Sequence, residues 1–338
     1  MTQSRSDLAR AFLATTNWKT GICSPLAGDA SNRKYERVRA DGKPPAVLMD
    51  APPEKGEDVR PFTAIARHLN GLGLSAPTIY AEDAQHGFLL IEDLGDALFA
   101  HAVAAEPSLE LELYKAAIDA LIVAQKASAP ELAPYDAQAM VETAMLVTDW
   151  YMPQATGRDT PGSLRAEYEQ LVRDMLDRLM IGNTVLVQRD YHAENLLWLP
   201  TREGAARVGL LDFQDAMLGH PAYDLASLLK DARRDVTEDV QRDVLAYYID
   251  QTGEDDTAFR AAYAACSAQR NLRILGVFAR LCVRDKKPNY PDLMPRVWDN
   301  LMGDLSHPNL SALRDFITTH VPTPTPKIIA TIKAAAHD

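Results

Sequence analysis

The amino-acid sequence predicts an α+β fold in two lobes, a small lobe built on a sheet and a larger lobe that is mostly helical. Strand-like apolar stretches gather near the N-terminus, whereas the later residues mainly show the periodicity of amphipathic helices. A polar segment that contains Gly95 separates the two patterns and provides a hinge. We therefore predict a first lobe over residues 1–94 and a second over residues 95–338. A chain of 338 residues, 47% of them hydrophobic, can bury a core in each lobe.

The first lobe is predicted to begin with a short amphipathic helix over residues 6–15. Leu8, Phe12 and Leu13 lie on one side of this helix, which a Ser and Asp pair can cap. The predicted strands are residues 33–38, 46–49 and 87–91. A further helix, residues 58–72, falls between the last two strands.

The second lobe is predicted to be helical except around its most polar motifs. The predicted helices are residues 109–127, 140–149, 165–180, 225–230, 239–250, 256–283 and 290–305. Two short apolar runs, residues 185–187 and 208–211, interrupt the helices and predict buried strands. Residues 322–327 are rich in Pro and Thr, which predicts a loose connector to a helical tail.

Composition argues against several classes of function. A formal net charge of −12 and a pI near 5.2 disfavour a nucleic-acid or anionic-membrane partner, since both require a basic surface. The three cysteines are widely spaced, so neither a disulfide framework nor a zinc motif is indicated. The N-terminus lacks an apolar leader core, and no stretch approaches the roughly 18 apolar residues of a membrane span. We therefore expect a cytoplasmic monomer.

Asp190, Asn195 and Asp212 together supply the polar groups of a kinase active site. In-line phosphoryl transfer needs a carboxylate that orients the attacking hydroxyl and oxygen ligands that hold Mg²⁺ on the nucleotide phosphates. Kinase catalytic loops place the base Asp five residues before a metal-binding Asn, which is the spacing of Asp190 and Asn195. Because Asp190 and Asp212 each follow a predicted strand, we expect two adjacent strands to end at one nucleotide. Any one of the three alone would fit an ordinary loop acid or helix cap.

Three segments extend this pattern into a family resemblance. Residues 190–197, 211–216 and 221–226 resemble the aminoglycoside phosphotransferase and choline kinase superfamily of small-molecule kinases. The whole chain is more closely similar to the anomeric kinases of N-acetylmuramate and N-acetylglucosamine that act in bacterial cell-wall recycling. That closer resemblance rests on residues 190–197, 47–53 and 269–276.

The resemblance implies a protein-kinase-like fold in two lobes, with a small antiparallel sheet in the N-lobe, and it implies ATP and Mg²⁺ as cofactors. The implied reaction transfers a phosphoryl group to the anomeric hydroxyl of the two N-acetylated sugars. Asp190 is then the catalytic base, while Asn195 and Asp212 are the metal ligands. Glu92 and Leu94, at the hinge, present backbone groups to adenine.

The segment between the first two predicted strands is placed to cradle phosphates. Gly28 permits a turn, and Ser31, Asn32 and the neighbouring backbone N–H groups can donate to phosphate oxygens. Arg33 and Lys34 add positive charge there. The alternative is a plain hairpin turn with solvated charges.

One residue departs from the kinase pattern. Protein kinases hold the α- and β-phosphates with a lysine on the third strand, and this chain has Met49 where that lysine is expected. Arg33 or Lys34 is therefore expected to supply the missing charge.

The acceptor site carries the weakest pattern. Trp150 and Tyr151 end a predicted helix, and an aromatic ring can lie against the apolar face of a sugar, although core packing explains them equally well. Arg270 and Arg273 are three residues apart, so they share a helix face and can bind a carboxylate such as the lactyl group of N-acetylmuramate. Ordinary ion pairing is the alternative for both arginines.

Two further residues of the catalytic motifs are assigned to the acceptor side. His192 lies within the catalytic loop and is expected to brace it, and Asp215 is expected to brace the loop after Asp212 or to contact substrate. The next motif begins soon after Asp212, which leaves no room for the peptide platform of a protein kinase.

Two other functions remain open from the sequence. One is a kinase of the same superfamily that acts on an aminoglycoside, a choline-like amine or a homoserine-like compound. The other is a nucleotide-binding pseudokinase, for which Met49 is the only support.

Overall fold

The computed structural model describes residues 4–26 and 32–336 of the chain. Residue contacts divide it into two units. The first unit comprises Met1–Pro130 and Ala193–Ala216, and the second comprises Glu131–His192 and Met217–Asp338. This division falls within the predicted catalytic loop and groups residues by contact, not by role. The predicted lobe boundary at residue 94, which concerned nucleotide and acceptor binding, stays a prediction.

An antiparallel sheet of five strands forms the centre of the first unit. The strands are β1 (Ile22–Pro25), β2 (Lys34–Arg39), β3 (Ala46–Asp50), β4 (Ile79–Asp83) and β5 (Phe88–Glu92). Their order across the sheet is β1-β2-β3-β5-β4. The predicted α+β class with a small antiparallel sheet is confirmed. The two edge strands were not predicted, because neither carries a fully buried side chain.

The two faces of the sheet bury different residues. Helix α1 (Arg5–Ala14) packs on one face, where Phe12 and Leu13 join Leu48 and Phe88 in a buried cluster. The hydroxyl of Ser4 caps this helix by accepting from the backbone N–H of Asp7. Alternate side chains along a strand point to opposite faces, so the neighbours of these strand residues face the other way.

The second face of the sheet carries a mixture of apolar and charged residues. Met49 of β3 pairs directly with Tyr35 of β2, and Val47 pairs with Arg37. Met49 and Val47 are both buried. This face therefore presents basic and aromatic side chains from β2 beside an apolar floor from β3.

Three helices and a second small sheet complete the first unit. The helices are α2 (Arg60–Gly71), α3 (Phe99–Ala105) and α4 (Glu110–Lys126). Strands β7 (Leu196–Trp198) and β8 (Val208–Leu210) pair antiparallel. Ser75 anchors β8, because its backbone oxygen accepts from Leu210 and its hydroxyl donates to the Ala206 carbonyl at 2.6 Å.

The second unit is almost entirely helical. Its only paired strands within the described residues are β6 (Val185–Val187) and β9 (Met217–Gly219). Its helices are α5 (Ala137–Ala144), α6 (Met152–Thr156), α7 (Gly162–Leu179), α8 (Ala222–Leu229), α9 (Glu238–Thr252), α10 (Asp256–Val283), α11 (Met294–Leu305), α12 (Ser311–His320) and α13 (Pro326–Ala334).

Helix α10 is the longest helix and lies at the centre of this unit. It packs closely against the segment before α6, because a Cβ atom at Gly276 would lie 2.3 Å from the carbonyl carbon of Leu146. Only glycine fits at this crossing. The predicted helix over residues 256–283 coincides with α10.

Two local predictions are wrong. The helix predicted over residues 140–149 ends at Ala144, and a π-helical turn occupies Val147–Tyr151 before α6. Strands β6 and β8 are not neighbours, because β6 pairs with β9 and β8 pairs with β7. The sequence predicted β6 and β8 as two apolar runs, but it did not predict their partner strands β9 and β7.

Within the described ranges, none of the helices has the length and apolar character needed to cross a membrane. Cys266 and Cys282 are buried free thiols, whereas Cys23 is half-buried.

Candidate active site

The catalytic loop begins with a strained residue directly before Asp190. Arg189 has a φ of 72°, in the left-handed region that residues other than glycine seldom occupy. Asp224, in the first turn of α8, accepts from the backbone N–H of Gln188 at 2.7 Å and of Arg189 at 2.8 Å. Ser227 donates to the Arg189 carbonyl at 3.2 Å. Helix α8 therefore imposes the shape of the loop.

Asp224 is completely buried, and its charge state follows from that burial. Burial raises the pKa of Asp224 to about 7, although the two backbone N–H donors oppose the shift. Asp224 lies in the first turn of α8, but it accepts from the backbone of the preceding loop and does not cap its own helix.

Asp190 lies in a field of positive charge. Burial alone would raise its pKa, but Arg273 and Arg270 outweigh that effect and hold the pKa of Asp190 below its ordinary value. The carboxylate is therefore ionised at neutral pH. An ionised carboxylate is suited to orienting a hydroxyl, which is the role that kinases require of this residue.

His192, in the same loop, is buried and neutral. Burial lowers its pKa to about 4, and its Nε2 lies 3.3 Å from Arg233 Nη1. A guanidinium only donates, so Nε2 accepts and we assign the ring proton to Nδ1. The bracing role of His192 stays a prediction.

Arg270 and Arg273 of α10 lie close enough to Asp190 for their charge to lower its pKa. Arg270 is 3% exposed and donates to the Lys230 carbonyl at 3.5 Å, while Arg273 donates to the Tyr223 hydroxyl at 3.3 Å. Within the described part of the chain, neither guanidinium has a carboxylate oxygen within 4 Å. The alternative of ordinary ion pairing is therefore not what the structure contains.

Several buried polar atoms in the described part of the second unit have no hydrogen-bond partner. Among the described residues, Gln188 Nε2, Arg270 Nε and Asp231 Oδ2 make no hydrogen bond within the protein. Buried polar groups of this kind are normally satisfied by water or a ligand. The catalytic loop thus lies among donors and an acceptor that the protein does not use.

The predicted metal ligands come together in the first unit. Asn195 directly precedes β7, and Asp212 follows β8 with a φ of 57°. Asn195 Nδ2 lies 3.4 Å from Asp212 Oδ2, and the Leu211 N–H donates to the Asn195 carbonyl at 2.9 Å. Gln214 donates to Asp212 Oδ1 at 2.6 Å. The left-handed turn at Asp212 therefore aims its carboxylate at Asn195.

This donor set fits a magnesium ion that is shared with a nucleotide. Mg²⁺ is usually held by one or two carboxylates together with substrate phosphates. Among the described residues, no group of three His, Cys, Asp or Glu side chains is placed to hold a metal by itself. One carboxylate and one amide oxygen are what a phosphate-sharing site requires.

The phosphate segment is described only at its end. Gly28 and Ser31 lie outside the described residues. Asn32 donates to the Lys55 carbonyl at 3.3 Å through its side chain, and Arg33 Nε lies 2.8 Å from Glu57 Oε2. Lys34 is exposed and begins β2 opposite Asp50.

Ion pairs of two arginines hold the hinge. Glu92 accepts from Arg202 at 2.6 Å and from the Thr78 hydroxyl at 2.9 Å. Arg37 binds both Asp93 and Asp96, with contacts of 2.5 to 3.0 Å to their oxygens. These bonds immobilise the segment whose backbone is expected to face adenine.

Leu94 lies within that segment. It packs near Gly209, where a Cβ would meet the Leu94 side chain at 3.1 Å. The strand that delivers Asp212 therefore contacts the hinge directly.

The remaining predicted site residues have mixed surroundings. Tyr151 is fully buried and donates to the Pro322 carbonyl at 2.6 Å, so it is a core residue and we leave it out of the acceptor site. Trp150 is half-buried and Asp215 is exposed, which leaves both side chains reachable. Their contacts with substrate stay predictions.

Sequence reasoning missed Glu57 and Arg37. Neither belongs to a motif, and their partners lie 24 and 56 residues away in the chain. The alternation of Arg33, Tyr35 and Arg37 along one strand was the available signal, since it places a basic stripe on one face.

A small antiparallel sheet, an ionised Asp190 and an Asn195–Asp212 pair are features of phosphotransferases. The chain belongs to the phosphotransferase enzyme family, which it matches over residues 22–263. It is similar to an N-acetylmuramate/N-acetylglucosamine kinase from Caulobacter vibrioides, at 37% identity over 96% of this chain and 99% of the relative. A kinase of the same name from Pseudomonas aeruginosa is 33% identical over 87% of each chain.

Solved structures share the fold at low identity. A choline/ethanolamine kinase family protein from Mesorhizobium loti has a TM-score of 0.63 at 16% identity, covering 98% of this chain and 100% of that one. Choline kinase LicA from Streptococcus pneumoniae has a TM-score of 0.59 at 14% identity, covering 91% and 99%. The predicted family resemblance and protein-kinase-like fold are confirmed.

Proposed function

We propose that this protein is an ATP-dependent sugar kinase. It phosphorylates the anomeric hydroxyl of N-acetylmuramate and N-acetylglucosamine, which yields sugar 1-phosphates in cytoplasmic peptidoglycan recycling. The observation that carries this proposal is the nearly full-length similarity to the Caulobacter vibrioides kinase that is named for these two sugars. The net charge of −12 supports a small-molecule partner and disfavours nucleic acid.

In the proposed reaction the anomeric hydroxyl oxygen attacks the γ-phosphorus of ATP in line. The new bond joins that oxygen to phosphorus, while the bond from the γ-phosphorus to the bridging oxygen breaks and ADP leaves with the electron pair. The hydroxyl proton passes to the Asp190 carboxylate and then to solvent. The positive charge of Arg270 and Arg273 keeps that carboxylate ionised before the reaction.

Asn195 and Asp212 would hold Mg²⁺ through their side-chain oxygens. The ion, when bound, neutralises charge on the β- and γ-phosphates. Gln214 keeps Asp212 oriented through its 2.6 Å bond, so the ligand does not depend on the ion for its position. We further propose that Asp190, only five residues before Asn195, acts on the same nucleotide.

The nucleotide is proposed to bind along the second face of the sheet. The backbone of Glu92 and Leu94 would bind adenine. The phosphate-binding groups would be Gly28, Ser31, Asn32, Arg33 and Lys34. The ionic bonds of Arg37 and Arg202 hold the hinge in place before the nucleotide arrives.

The acceptor side is proposed to use the arginines of α10. Arg270 and Arg273 have neutral hydrogen-bond partners and lie near Asp190, so they can receive the lactyl carboxylate of N-acetylmuramate. A cationic acceptor such as an aminoglycoside would be repelled from this position. His192, Trp150 and Asp215 are kept as further candidates for contacts around the sugar.

The test is ADP release from MgATP with N-acetylmuramate, N-acetylglucosamine, glucosamine, kanamycin and choline. The active products are then examined by phosphorus NMR for a phosphate on the anomeric carbon. We expect turnover of the two N-acetylated sugars only. Turnover of kanamycin or choline alone would retain the catalytic residues but refute the sugar assignment, and nucleotide binding without any turnover would refute the enzyme.

A further inference from the structure

The strand position that holds a lysine in kinases is here apolar and closed. Met49 is 1% exposed and lies between Tyr35 of β2 and Leu89 of β5. A cation at that position would have to be buried in the sheet, so the charge that binds the α- and β-phosphates must come from another residue. The two candidates are Arg33 and Lys34.

The register of the sheet separates these two candidates. Tyr35 is the direct partner of Met49, and Arg33 lies two residues before Tyr35, where strand alternation continues toward the Met49 face. Lys34 lies one residue from each, on the opposite alternation. It shares that alternation with Val38, which packs in the cluster beneath α1. Arg33 is therefore the cation on the face where the nucleotide is proposed to bind.

Glu57 and Tyr35 both hold Arg33 through side-chain hydrogen bonds. Glu57 Oε2 lies 2.8 Å from Arg33 Nε, and each side chain is only 12% exposed. Glu57 Oε1 accepts from the backbone N–H of Asn32 at 3.1 Å. One carboxylate thus holds both the side chain of Arg33 and the backbone beside it, at the end of the proposed phosphate segment.

The origin of Glu57 gives this contact its meaning. Glu57 lies in the turn that leads into α2, the helix between β3 and β4. In protein kinases an ion pair between the strand lysine and a glutamate of the helix beside the sheet must be in place for activity. The same two charges occur here, but the cation has moved from the third strand to the start of the second.

We infer that the Arg33–Glu57 ion pair replaces the lysine–glutamate pair of kinases, with Arg33 donating to the α- and β-phosphates of ATP. Glu57 is then a positioning residue. A guanidinium presents five N–H donors in a planar fork, which allows one arginine to bind a carboxylate and a phosphate together. This inference rests on the proposed function for the identity of its ligand.

The test compares six variants with the wild-type chain, one of which is Lys34→Met. Arg33→Met removes the cation, Arg33→Lys keeps a charge without the fork, and Glu57→Gln removes only the positioning charge. The double variant Arg33→Glu with Glu57→Arg restores an ion pair but moves the cation away from the strand. Arg60→Met is the matched control, because Arg60 binds Asp58 in the same turn but is 76% exposed.

The measurements are the KM for ATP, the KM for N-acetylglucosamine, and the affinity for the Mg²⁺ complex of AMP-PNP by calorimetry. We expect Arg33→Met to raise the KM for ATP by about 10- to 100-fold, as the loss of a charge-assisted hydrogen bond predicts, with the sugar KM changed less than about twofold. Arg33→Lys recovers part of the loss, and Glu57→Gln raises the KM for ATP by about 3- to 10-fold. Arg60→Met behaves as wild type.

Recovery of ATP affinity in the charge-swapped double variant would overturn the inference, because it would show a structural brace that does not touch phosphate. So would a larger effect of Lys34→Met than of Arg33→Met. Failure of the proposed function has a different signature, since the wild-type chain would then fail to phosphorylate either sugar. The calorimetric comparison would still decide the role of Arg33 in that case.

Discussion

The arginines of the proposed nucleotide site and those of the proposed acceptor site have opposite kinds of partner. In the first unit, Arg33 binds Glu57 and Arg37 binds Asp93 and Asp96. In the second unit, Arg270 and Arg273 hydrogen-bond a carbonyl and a hydroxyl. A paired arginine is fixed in position, whereas a buried arginine without a carboxylate keeps its charge for an anion that arrives later. The first arrangement suits a site that must be ready for nucleotide, and the second suits a site completed by substrate.

Two buried carboxylates in the second unit accept hydrogen bonds from neutral donors. Asp224 accepts from two backbone N–H groups, and Asp304 accepts from the Ser267 hydroxyl at 2.6 Å and the Asn271 amide at 3.0 Å. Burial raises the pKa of both carboxyl groups to about 7. The charge of Arg270 lowers the pKa of both Asp224 and Asp190, so it acts on two buried carboxyl groups.

Removing the carboxylate beside the unpaired arginines is expected to have the largest effect. We expect Asp190→Ala to lower kcat by roughly 10²- to 10⁴-fold, because the attacking hydroxyl loses its proton acceptor. AMP-PNP affinity, measured by calorimetry, should change little. A variant with more than about a tenth of wild-type kcat would show that Asp190 is not the base.

The next test asks what the unpaired arginines bind. Arg270→Ala is expected to lower kcat/KM for N-acetylmuramate by about 10- to 100-fold, because a bond to its carboxylate is lost. The same constant for N-acetylglucosamine, which lacks that carboxylate, should fall far less. Initial rates with both sugars provide the comparison, and Arg270→Lys is the matched control that keeps the charge. An equal loss with both sugars would assign the arginine to Asp190 and not to the acceptor.

Substitution of a paired arginine should have a smaller effect, and that effect should not depend on which sugar is used. We expect Arg37→Met to raise the KM for ATP by about 3- to 10-fold, because Asp93 and Asp96 lose the cation that fixes the hinge. Steady-state kinetics with each sugar should show the same factor. A change that depends on the sugar would contradict the proposal that the paired arginines serve the nucleotide site and that Arg270 and Arg273 serve the acceptor site.

The smallest effect concerns stability and pH. The pKa of Asp304 is raised to about 7 in the folded protein, so its contribution to stability is complete below about pH 4 and is lost as the pH rises to about 7. Asp304→Asn removes this dependence and keeps an acceptor for Ser267 and Asn271. We expect the difference in Tm between pH 6 and pH 7.5 to narrow by roughly 2–4 °C, as about 1 kcal/mol predicts for a domain of moderate size. An unchanged difference would assign the pH dependence to other groups, Asp224 among them.

Local patterns predicted the fold well where side chains were apolar and periodic. Strands β2, β3 and β5 and helix α10 were found close to their true bounds, and β3, β5 and α10 are largely buried along their length. Strands β7 and β9 are three residues long and exist only through their partners, so no local signal marks them. The π-helical turn is likewise set by packing against α10, which the local sequence does not reveal.

The candidate site divides in the same way. Asp190, Asn195 and Asp212 were predicted because fixed spacing carries their chemistry, and the structure brings Asn195 and Asp212 together. The ion pairs of Arg33 and Arg37 join residues 24 and 56 apart, so only the fold could disclose them. The roles of all these residues in catalysis stay predictions.

The strained backbone at Arg189 depends on a part of the chain that is synthesised later. Its left-handed conformation is held by Asp224 and Ser227, which lie 35 and 38 residues downstream. A ribosome must therefore complete the first turns of α8 before the loop can hold its working shape. We therefore expect phosphoryl transfer to require that α8 is packed against this loop. A chain in which α8 is not packed there would lack activity.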